Sequence, residues 1–296
     1  MTRGWPPASK PAAREPPIQP SKYDIIPVED ALAIVRSVVR PLDTEIVETA
    51  EADGRVLAED VYSPEDVPPF RASTVDGFAV IASEGISPRR VADEITAGVA
   101  NRPALQTGTA ARIMTGAPVP DGADAVAMVE YTHVEDGQIV LDRPLKSGDN
   151  VRPIGVDVAK GDLVLPRGRA IGIAEVGLLM TLGFANVSCY RRPIVGVLST
   201  GDELVDPWEE VPAGFIRDSN RYALLSAIRE AGGVALSLGR VRDERELQFR
   251  MVREGIGRCD VLLTSGGVSV GDRDYIKGAL EEIGTVHFGR IIIVKP

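Results

Sequence analysis

Apolar residues follow two different patterns along the chain, and the change between them predicts how it divides into domains. From residue 193 onward, short apolar runs at 194–198, 234–238 and 261–263 alternate with segments that have helical spacing. Strands that alternate with helices are typical of a parallel, doubly wound sheet. The pattern predicts an α/β domain over residues 191–296.

Residues 67–151 have a different character. Short alternating segments at 78–81, 111–114, 125–129 and 139–141 are separated by turn sequences such as Gly116-Ala-Pro and Pro120-Asp-Gly. Short strands at this spacing favour a small β-barrel or sandwich.

The segments on either side of this β-rich region are mixed. Leu32, Val35 and Val39 lie at helical spacing and Pro41 ends their helix, and a second helix is predicted over 173–182. We therefore interpret 23–66 and 152–190 as two halves of one linker domain, with the β-rich domain inserted between them. Residues 1–22 contain six of the 22 prolines and are predicted to be a disordered tail.

Polar clusters follow three of the predicted parallel strands, at 200–203, 242–243 and 264–274. Doubly wound sheets bind ligands outside the carboxyl ends of their strands. The three clusters therefore predict a ligand site at that edge of the α/β domain.

The third cluster is a glycine-rich loop between a strand and a helix that starts near Tyr275. Glycines allow close approach of the backbone to a ligand, and a helix N-terminus carries partial positive charge. Hydroxyl groups add further donors. These features suit phosphate or another oxyanion, and the residues concerned are Thr264, Ser265, Gly266, Gly267, Ser269 and Gly271.

The composition excludes some partners. The chain has 33 Lys and Arg against 43 Asp and Glu, a net charge of −10, so we expect no nucleic-acid partner. No apolar run reaches the roughly 18 residues of a membrane span, and no signal peptide is evident, so we expect a cytoplasmic protein without a membrane partner. Cys189 and Cys259 form neither a disulfide framework nor a metal motif.

An acidic chain must concentrate positive potential locally to bind an anion. Candidate cations are Lys277, Arg290 and Lys295, in addition to backbone amides. Carboxylates also gather at the same edge and would repel one another, so a tight cluster needs a divalent cation, for which Mg²⁺ with ligand phosphates is the usual choice. These carboxylates are Asp202, Glu203, Asp243, Asp272 and Asp274, of which Asp202 and Asp272 are expected to be solvated caps.

Upstream of the α/β domain, three polar turns could be structural or functional. Asp76 lies within 69–79, Thr115 follows Arg112-Ile-Met, and Asp157 lies in Gly-Val-Asp-Val. Composition alone favours ordinary turns at these positions.

The order of these segments resembles the molybdopterin molybdenumtransferases, the MoeA family that includes the C-terminal domain of gephyrin. The resemblance extends from residue 23 to about 290, and its motifs are 69–79, 112–121, 150–157, 199–204, 218–221 and 264–274. It implies an elongated homodimer with a linker domain, an inserted β-rich domain and a molybdopterin-binding α/β domain.

The resemblance also implies the chemistry. Molybdate is inserted into the dithiolene of adenylylated molybdopterin, Mg²⁺ assists and AMP is released, with the molybdopterin adenylyltransferase as a further partner. By position, the catalytic residues would be Asp76, Thr115, Asp157, Glu203, Asp243 and Asp274, of which the last three would also bind metal. The first three would complete the cleft across the dimer, and the glycine loop with the three candidate cations would hold the pterin phosphate.

The chain departs from the family pattern in two respects. Val75 and Phe78 replace the usual Met and Tyr. The chain also ends at Lys295-Pro296, where family members continue, so we expect the rest of the α/β domain and a small C-terminal β domain to be absent.

Two other interpretations stay open. One is a non-catalytic molybdopterin-binding or scaffold homologue. The other is the molybdopterin adenylyltransferase, whose Thr-Gly-Gly-Thr-Gly type of loop differs from the Ser-Gly-Gly-Val-Ser-Val-Gly found here.

Overall fold

The computed structural model describes residues 24–96, 98, 104–266 and 275–291. The chain separates into two compact units. The α/β unit contains the residues up to Asp43 together with those from Tyr190 onward, and the β-rich unit contains Thr44–Cys189. The finer division of the β-rich unit into a linker and an inserted domain stays a prediction.

Five α-helices lie within the described residues: α1 Val28–Val38, α2 Ile173–Thr181, α3 Ser219–Glu230, α4 Arg245–Ile256 and α5 Tyr275–Ile283.

Strands make up most of the remaining regular structure in the same part of the chain. They are β1 Ile25–Ile26, β2 Thr44–Glu48, β3 Val56–Leu57, β4 Val61–Tyr62, β5 Ala72–Ser73, β6 Gly77–Val80, β7 Arg90–Ile95, β8 Thr109–Ile113, β9 Ala125–Met128, β10 Thr132–Glu135, β11 Gln138–Leu141, β12 Val151–Arg152, β13 Leu163–Leu165, β14 Asn186–Tyr190, β15 Ile194–Thr200, β16 Leu204–Val205, β17 Ile216–Arg217, β18 Val234–Val241, β19 Val261–Ser265 and β20 Arg290–Ile291.

The α/β unit is built on a parallel sheet in the order β18-β15-β19. Alternate residues of the central strand point to opposite faces. Val195 and Val197 pack against Leu225 and Ile228 of α3. On the other face, Leu198 belongs to a core cluster with side chains of α4 and α5. Helices thus cover both faces, which explains why β15 is a continuous apolar run.

Short parallel pairs complete this unit. Strand β1 pairs with β20, and β16 pairs with β17. At the amino edge of the sheet, the Arg191 guanidinium makes two hydrogen bonds, of 2.6 and 2.7 Å, to the carboxylate of Asp260. The same carboxylate accepts a hydrogen bond from the Ile194 N–H at 2.8 Å. Asp260 therefore joins the starting points of β15 and β19.

The β-rich unit contains a four-stranded sheet in the order β7-β8-β6-β9. Only its β7–β8 pair is parallel. One face buries a cluster around Ile95, Ile113 and Val126, and the other a cluster around Val80 and Ile139. Strand β7 was not anticipated from the sequence, because its only buried residue is Ile95 and the other five are exposed.

Shorter ladders surround this sheet. The β10–β11 hairpin and the β5–β12 and β4–β13 pairs are antiparallel. A three-stranded sheet in the order β2-β14-β3 accompanies α2. Leu57, Leu165 and Leu179 form the core of this region.

In the described part of the chain, no helix combines the length and the apolar character that a membrane crossing requires.

Gly77 is a strict requirement of the β-rich unit. A Cβ atom at this position would lie 1.8 Å from the backbone oxygen of Ala127 on β9, so any side chain would push β6 and β9 apart. We expect Gly77→Ala to lower the free energy of unfolding by about 3 kcal/mol, the upper part of the range for overpacking. Urea unfolding followed by circular dichroism measures the loss.

The matched control is Gly177→Ala in α2, where an added Cβ would meet no atom within 4 Å. Alanine favours a helix interior over glycine by about 0.8–1.0 kcal/mol, so this variant should be more stable than the wild type. Equal stability of the two variants would contradict the close approach at Gly77.

Candidate functional site

The carboxyl ends of three parallel strands meet at one edge of the α/β unit. Thr200 of β15 is in register with Val241 of β18, and Ser199 is in register with Ser265 of β19. The residues that follow these strands therefore lie side by side. They include Glu203 after β15, Asp243 after β18 and Gly266 after β19.

Asp243 lies at the centre of a carboxylate cluster. Its backbone N–H donates to Asp202 Oδ1 at 3.2 Å, and Gln248 Nε2 donates to its Oδ1 at 3.0 Å. Burial raises the pKa of the Asp243 carboxyl, and the negative charges of Asp202 and Glu203 raise it further. The structure therefore brings Glu203 and Asp243 into electrostatic contact at the edge that the sequence indicated. Asp202 is exposed, and its expected role as a solvated cap stays a prediction.

Thr200 and Gly266 approach each other closely at the same edge. Gly266 has φ +95°, and a Cβ atom there would lie 2.7 Å from the Thr200 backbone oxygen and 2.8 Å from its Oγ1. Thr200 is only 5% exposed, and its hydroxyl has no hydrogen-bond partner among the described residues. The site thus holds an unused buried hydroxyl next to the start of the glycine loop.

Asp218 was overlooked as a functional candidate, although its segment belongs to the family-like motifs. Its side chain caps α3 by accepting from the Arg221 N–H at 3.2 Å, and it also accepts from Ser199 Oγ at 3.1 Å. An aspartate directly before a helix is the signal that could have identified it.

The remaining predicted ligand-binding residues of this unit are only partly described. Thr264 and Ser265 are half-buried at the end of β19, and Lys277 lies in the first turn of α5. Arg290 lies in β20, and its side chain is not among those described. The predictions that fall outside the described residues concern Gly267, Ser269, Gly271, Asp272, Asp274 and Lys295.

The described carboxylates fit a magnesium ion only together with a ligand. Among the described residues, no group of three or more His, Cys, Asp or Glu side chains is arranged to hold a metal. Mg²⁺ is commonly bound through one or two carboxylates plus phosphate oxygens and water. Glu203 and Asp243 can supply those carboxylates, and mutual repulsion makes a cation favourable between them.

In the β-rich unit, the structure joins two of the predicted residues directly. The backbone N–H and the hydroxyl of Thr115 both donate to Asp76 Oδ1, each at 2.7 Å. These two hydrogen bonds, the backbone one first, lower the pKa of Asp76, and the positive charge of Arg112 lowers it further. Asp76 is thus an exposed carboxylate whose ionised form is favoured and whose orientation is fixed by Thr115.

Asp157 forms an exposed ion pair with Arg152. Strand β5 connects this ion pair to the turn that contains Thr115. Ser73 of β5 is in register with Val151 of β12, and the Ser73 backbone also hydrogen-bonds to Gly116 and Ala117. All three predicted residues of the β-rich unit therefore lie on turns that are attached to one short strand.

Comparisons with known proteins identify the family of this chain. The family model "MoeA N-terminal region (domain I and II)" matches residues 26–183, and the model "Probable molybdopterin binding domain" matches 196–293. The chain belongs to the MoeA family. The resemblance inferred from the sequence is thereby confirmed, together with a MoeA-like fold of mixed α and β content.

Individual relatives of this MoeA-family chain are similar over most of its length. It is 38% identical to the molybdopterin molybdenumtransferase of Bacillus subtilis over 88% of the chain, and 36% identical to gephyrin of Dictyostelium discoideum over 92%. A solved structure of the molybdopterin biosynthesis MoeA protein from Pyrococcus horikoshii matches with a TM-score of 0.79 and 36% identity, covering 90% of this chain and 69% of that one. The chain spans 63% of the Bacillus relative and 42% of the gephyrin.

Two carboxylates of the α/β unit have opposite environments, which gives a stability test of the site. Asp243→Asn removes a charge that burial and neighbouring carboxylates disfavour, and it keeps an oxygen that can accept from Gln248. We expect this variant to melt at the wild-type temperature or above it near neutral pH. Differential scanning calorimetry measures the change.

Asp260→Asn is the matched control, because bonds from Arg191 and Ile194 lower the pKa of Asp260 to about 2. The contribution of this carboxylate to stability is present above the unfolded-state pKa of about 3.9 and is lost as the pH falls toward about 2. We expect a loss of about 1–2 kcal/mol near neutral pH that shrinks below about pH 4. A larger loss for Asp243→Asn than for Asp260→Asn would show that Asp243 is primarily structural.

Thr115→Val tests the contact between Asp76 and Thr115. The variant loses the hydroxyl donor and keeps the backbone donor, so the pKa of Asp76 should rise and still remain below its ordinary value. Carboxyl ¹³C NMR titration measures it. Thr132→Val, whose hydroxyl bonds a backbone oxygen, is the control and should leave Asp76 unchanged.

Proposed function

We propose that this protein inserts molybdate into the dithiolene of adenylylated molybdopterin and releases AMP. The observation that carries the proposal is that Glu203, Asp243 and the Thr200 hydroxyl all lie at the carboxyl ends of the parallel strands, where this hydroxyl has no hydrogen-bond partner among the described residues. Membership of the MoeA family supports it, as do relatives named molybdopterin molybdenumtransferase in Bacillus subtilis and Haemophilus influenzae.

The side chains at this edge would bind and orient the two reactants. The Thr200 hydroxyl and the backbone amides that follow Ser265 would donate to phosphate oxygens. Bound Mg²⁺ would supply positive charge to the phosphoanhydride, and Glu203 and Asp243, with Asp274, would hold it. We propose no protein nucleophile, and positioning of the two reactants together with charge compensation would supply the rate enhancement.

We further propose a homodimer in which the β-rich unit of one protomer completes the site of the other. The support is chemical, because Asp76, Thr115 and Asp157 are exposed polar side chains that their local hydrogen bonds and ion pair hold in place. Residues with this arrangement are suited to contact a ligand supplied by a neighbouring surface. The molybdopterin adenylyltransferase would supply the adenylylated substrate, and a cytoplasmic location stays a prediction.

A direct assay tests the reaction. Purified protein with Mg²⁺ and adenylylated molybdopterin should release AMP only after molybdate is added, and Asp243→Asn should reduce that release at least 100-fold, about the loss expected when a charge-stabilising group is removed. AMP is quantified by liquid chromatography. Binding of the pterin without molybdate-dependent AMP release would support the non-catalytic alternative, and formation of the adenylylated pterin from ATP would support the adenylyltransferase.

Complementation tests the shared site. Asp76→Asn and Asp243→Asn should each be inactive, because each dimer site would lack one residue. If the two are mixed under conditions that exchange subunits, half of the dimers are mixed and each of these has one intact site, so activity should return to about a quarter of the wild type. Mixing without recovery, when exchange is verified by mass spectrometry, would place both residues in the same protomer's site.

A further inference from the structure

Gln248 is a buried polar side chain in an apolar helix surface. It lies in the first turn of α4 and is 0% exposed. Its neighbours on the helix, Leu247, Phe249 and Val252, belong to the core cluster on this face of the sheet. An apolar residue would be the simpler occupant of this position, since a buried amide must find hydrogen-bond partners.

The partners that Gln248 finds belong to the candidate site. Its Nε2 donates to the Arg242 backbone oxygen at 3.2 Å and to Asp243 Oδ1 at 3.0 Å. Both donor hydrogens of the amide are therefore used on the two residues that directly follow β18. The Arg242 oxygen also accepts from the Glu244 N–H at 2.8 Å, so the fold does not depend on Gln248 to satisfy it.

The other end of the amide has no such use. Gln248 Oε1 is buried, and within the described part of the chain it has no hydrogen-bond donor. Rotation of the amide by 180° would set Oε1 against two acceptors, so the nitrogen must face Asp243. A buried acceptor that has no donor among the described residues is destabilising, which favours a role for the donor end beyond folding.

We propose that Gln248 is a positioning residue that sets the affinity of the site for a divalent cation by fixing Asp243. This inference rests on the proposed function. The hydrogen bond occupies Oδ1 and leaves Oδ2 of Asp243, for which the described residues offer no hydrogen-bond donor, to face the cation. A neutral amide orients the carboxylate without adding a positive charge that would compete with the ion.

Direct titration with Mn²⁺ tests this inference without an activity assay. The electron paramagnetic resonance signal of free Mn²⁺ reports binding to the full-length protein, alone and with inorganic pyrophosphate as the anion. Gln248→Met keeps the length of the side chain and removes the donor. We expect it to weaken Mn²⁺ binding about 10-fold or more, the usual effect of losing a hydrogen bond to a metal ligand.

A double-mutant cycle shows whether Gln248 acts through Asp243. Asp243→Asn alone should weaken binding at least as much as Gln248→Met, and the double variant should bind no more weakly than Asp243→Asn. Additive losses would overturn the proposed route. Gln248→Asn, whose shorter amide cannot reach Oδ1, serves as a second variant and should resemble Gln248→Met.

Val252→Ala is the matched structural control, since Val252 is fully buried one turn further along α4. It should lower the melting temperature by several degrees and leave Mn²⁺ affinity unchanged. Gln248→Met should weaken Mn²⁺ binding and keep a melting temperature within about 2 °C of the wild type, because it removes an Oε1 that has no donor among the described residues. A core defect would lower the Mn²⁺ affinity and the melting temperature of Gln248→Met in proportion to each other. That result would overturn the inference.

The outcomes separate this inference from the function on which it rests. If the wild type and Gln248→Met bind Mn²⁺ equally well and Asp243→Asn does not bind it, only the positioning role is overturned. A wild type that binds no Mn²⁺ with pyrophosphate present would overturn the metal site itself, and the role of Gln248 with it.

Discussion

Repulsion between carboxylates at the carboxyl ends of three parallel strands is the interaction on which the candidate site depends. The register of β15 with β18 and β19 brings Glu203 and Asp243 to one edge, and the covering helices bury Asp243 in part. Folding therefore assembles negative charge that is not compensated within the described part of the chain. A bound cation relieves this repulsion, and its positive charge in turn favours an anionic ligand beside the carboxylates.

Helix α4 contributes both to the hydrophobic core and to the candidate site. Its apolar residues bury the face of the sheet, and Gln248 in its first turn reaches back to the end of β18. Helix α3 has a similar arrangement, because its cap Asp218 also accepts from Ser199 of β15. The strand ends are therefore braced from both faces of the sheet by the first turns of the helices that follow.

Much of the α/β unit could be predicted because its strands are short apolar runs that alternate with segments of helical spacing. The polar positions after β15, β18 and β19 followed from the rule that ligands bind at the carboxyl ends of parallel strands. Gln248 could not be found in this way, since a single glutamine in a charged helix looks solvent-exposed. Strand β7 was missed because five of its six residues are exposed. The Asp76–Thr115 contact joins residues 39 positions apart, so spacing alone did not reveal it.

Acidic residues lie at both ends of the parallel sheet, and their electrostatic environments are opposite. At the amino end, Asp260 is fully partnered by Arg191 and Ile194 and strengthens the fold. At the carboxyl end, burial and the neighbouring carboxylates disfavour the charge of Asp243 until a cation binds. The stabilising carboxylate and the candidate ligand site thus lie at opposite ends of the same three strands. Stabilising substitutions at the amino end can therefore offset the loss of stability caused by substitutions in the candidate site. The strands separate the two sets of residues, so that their effects on stability should add.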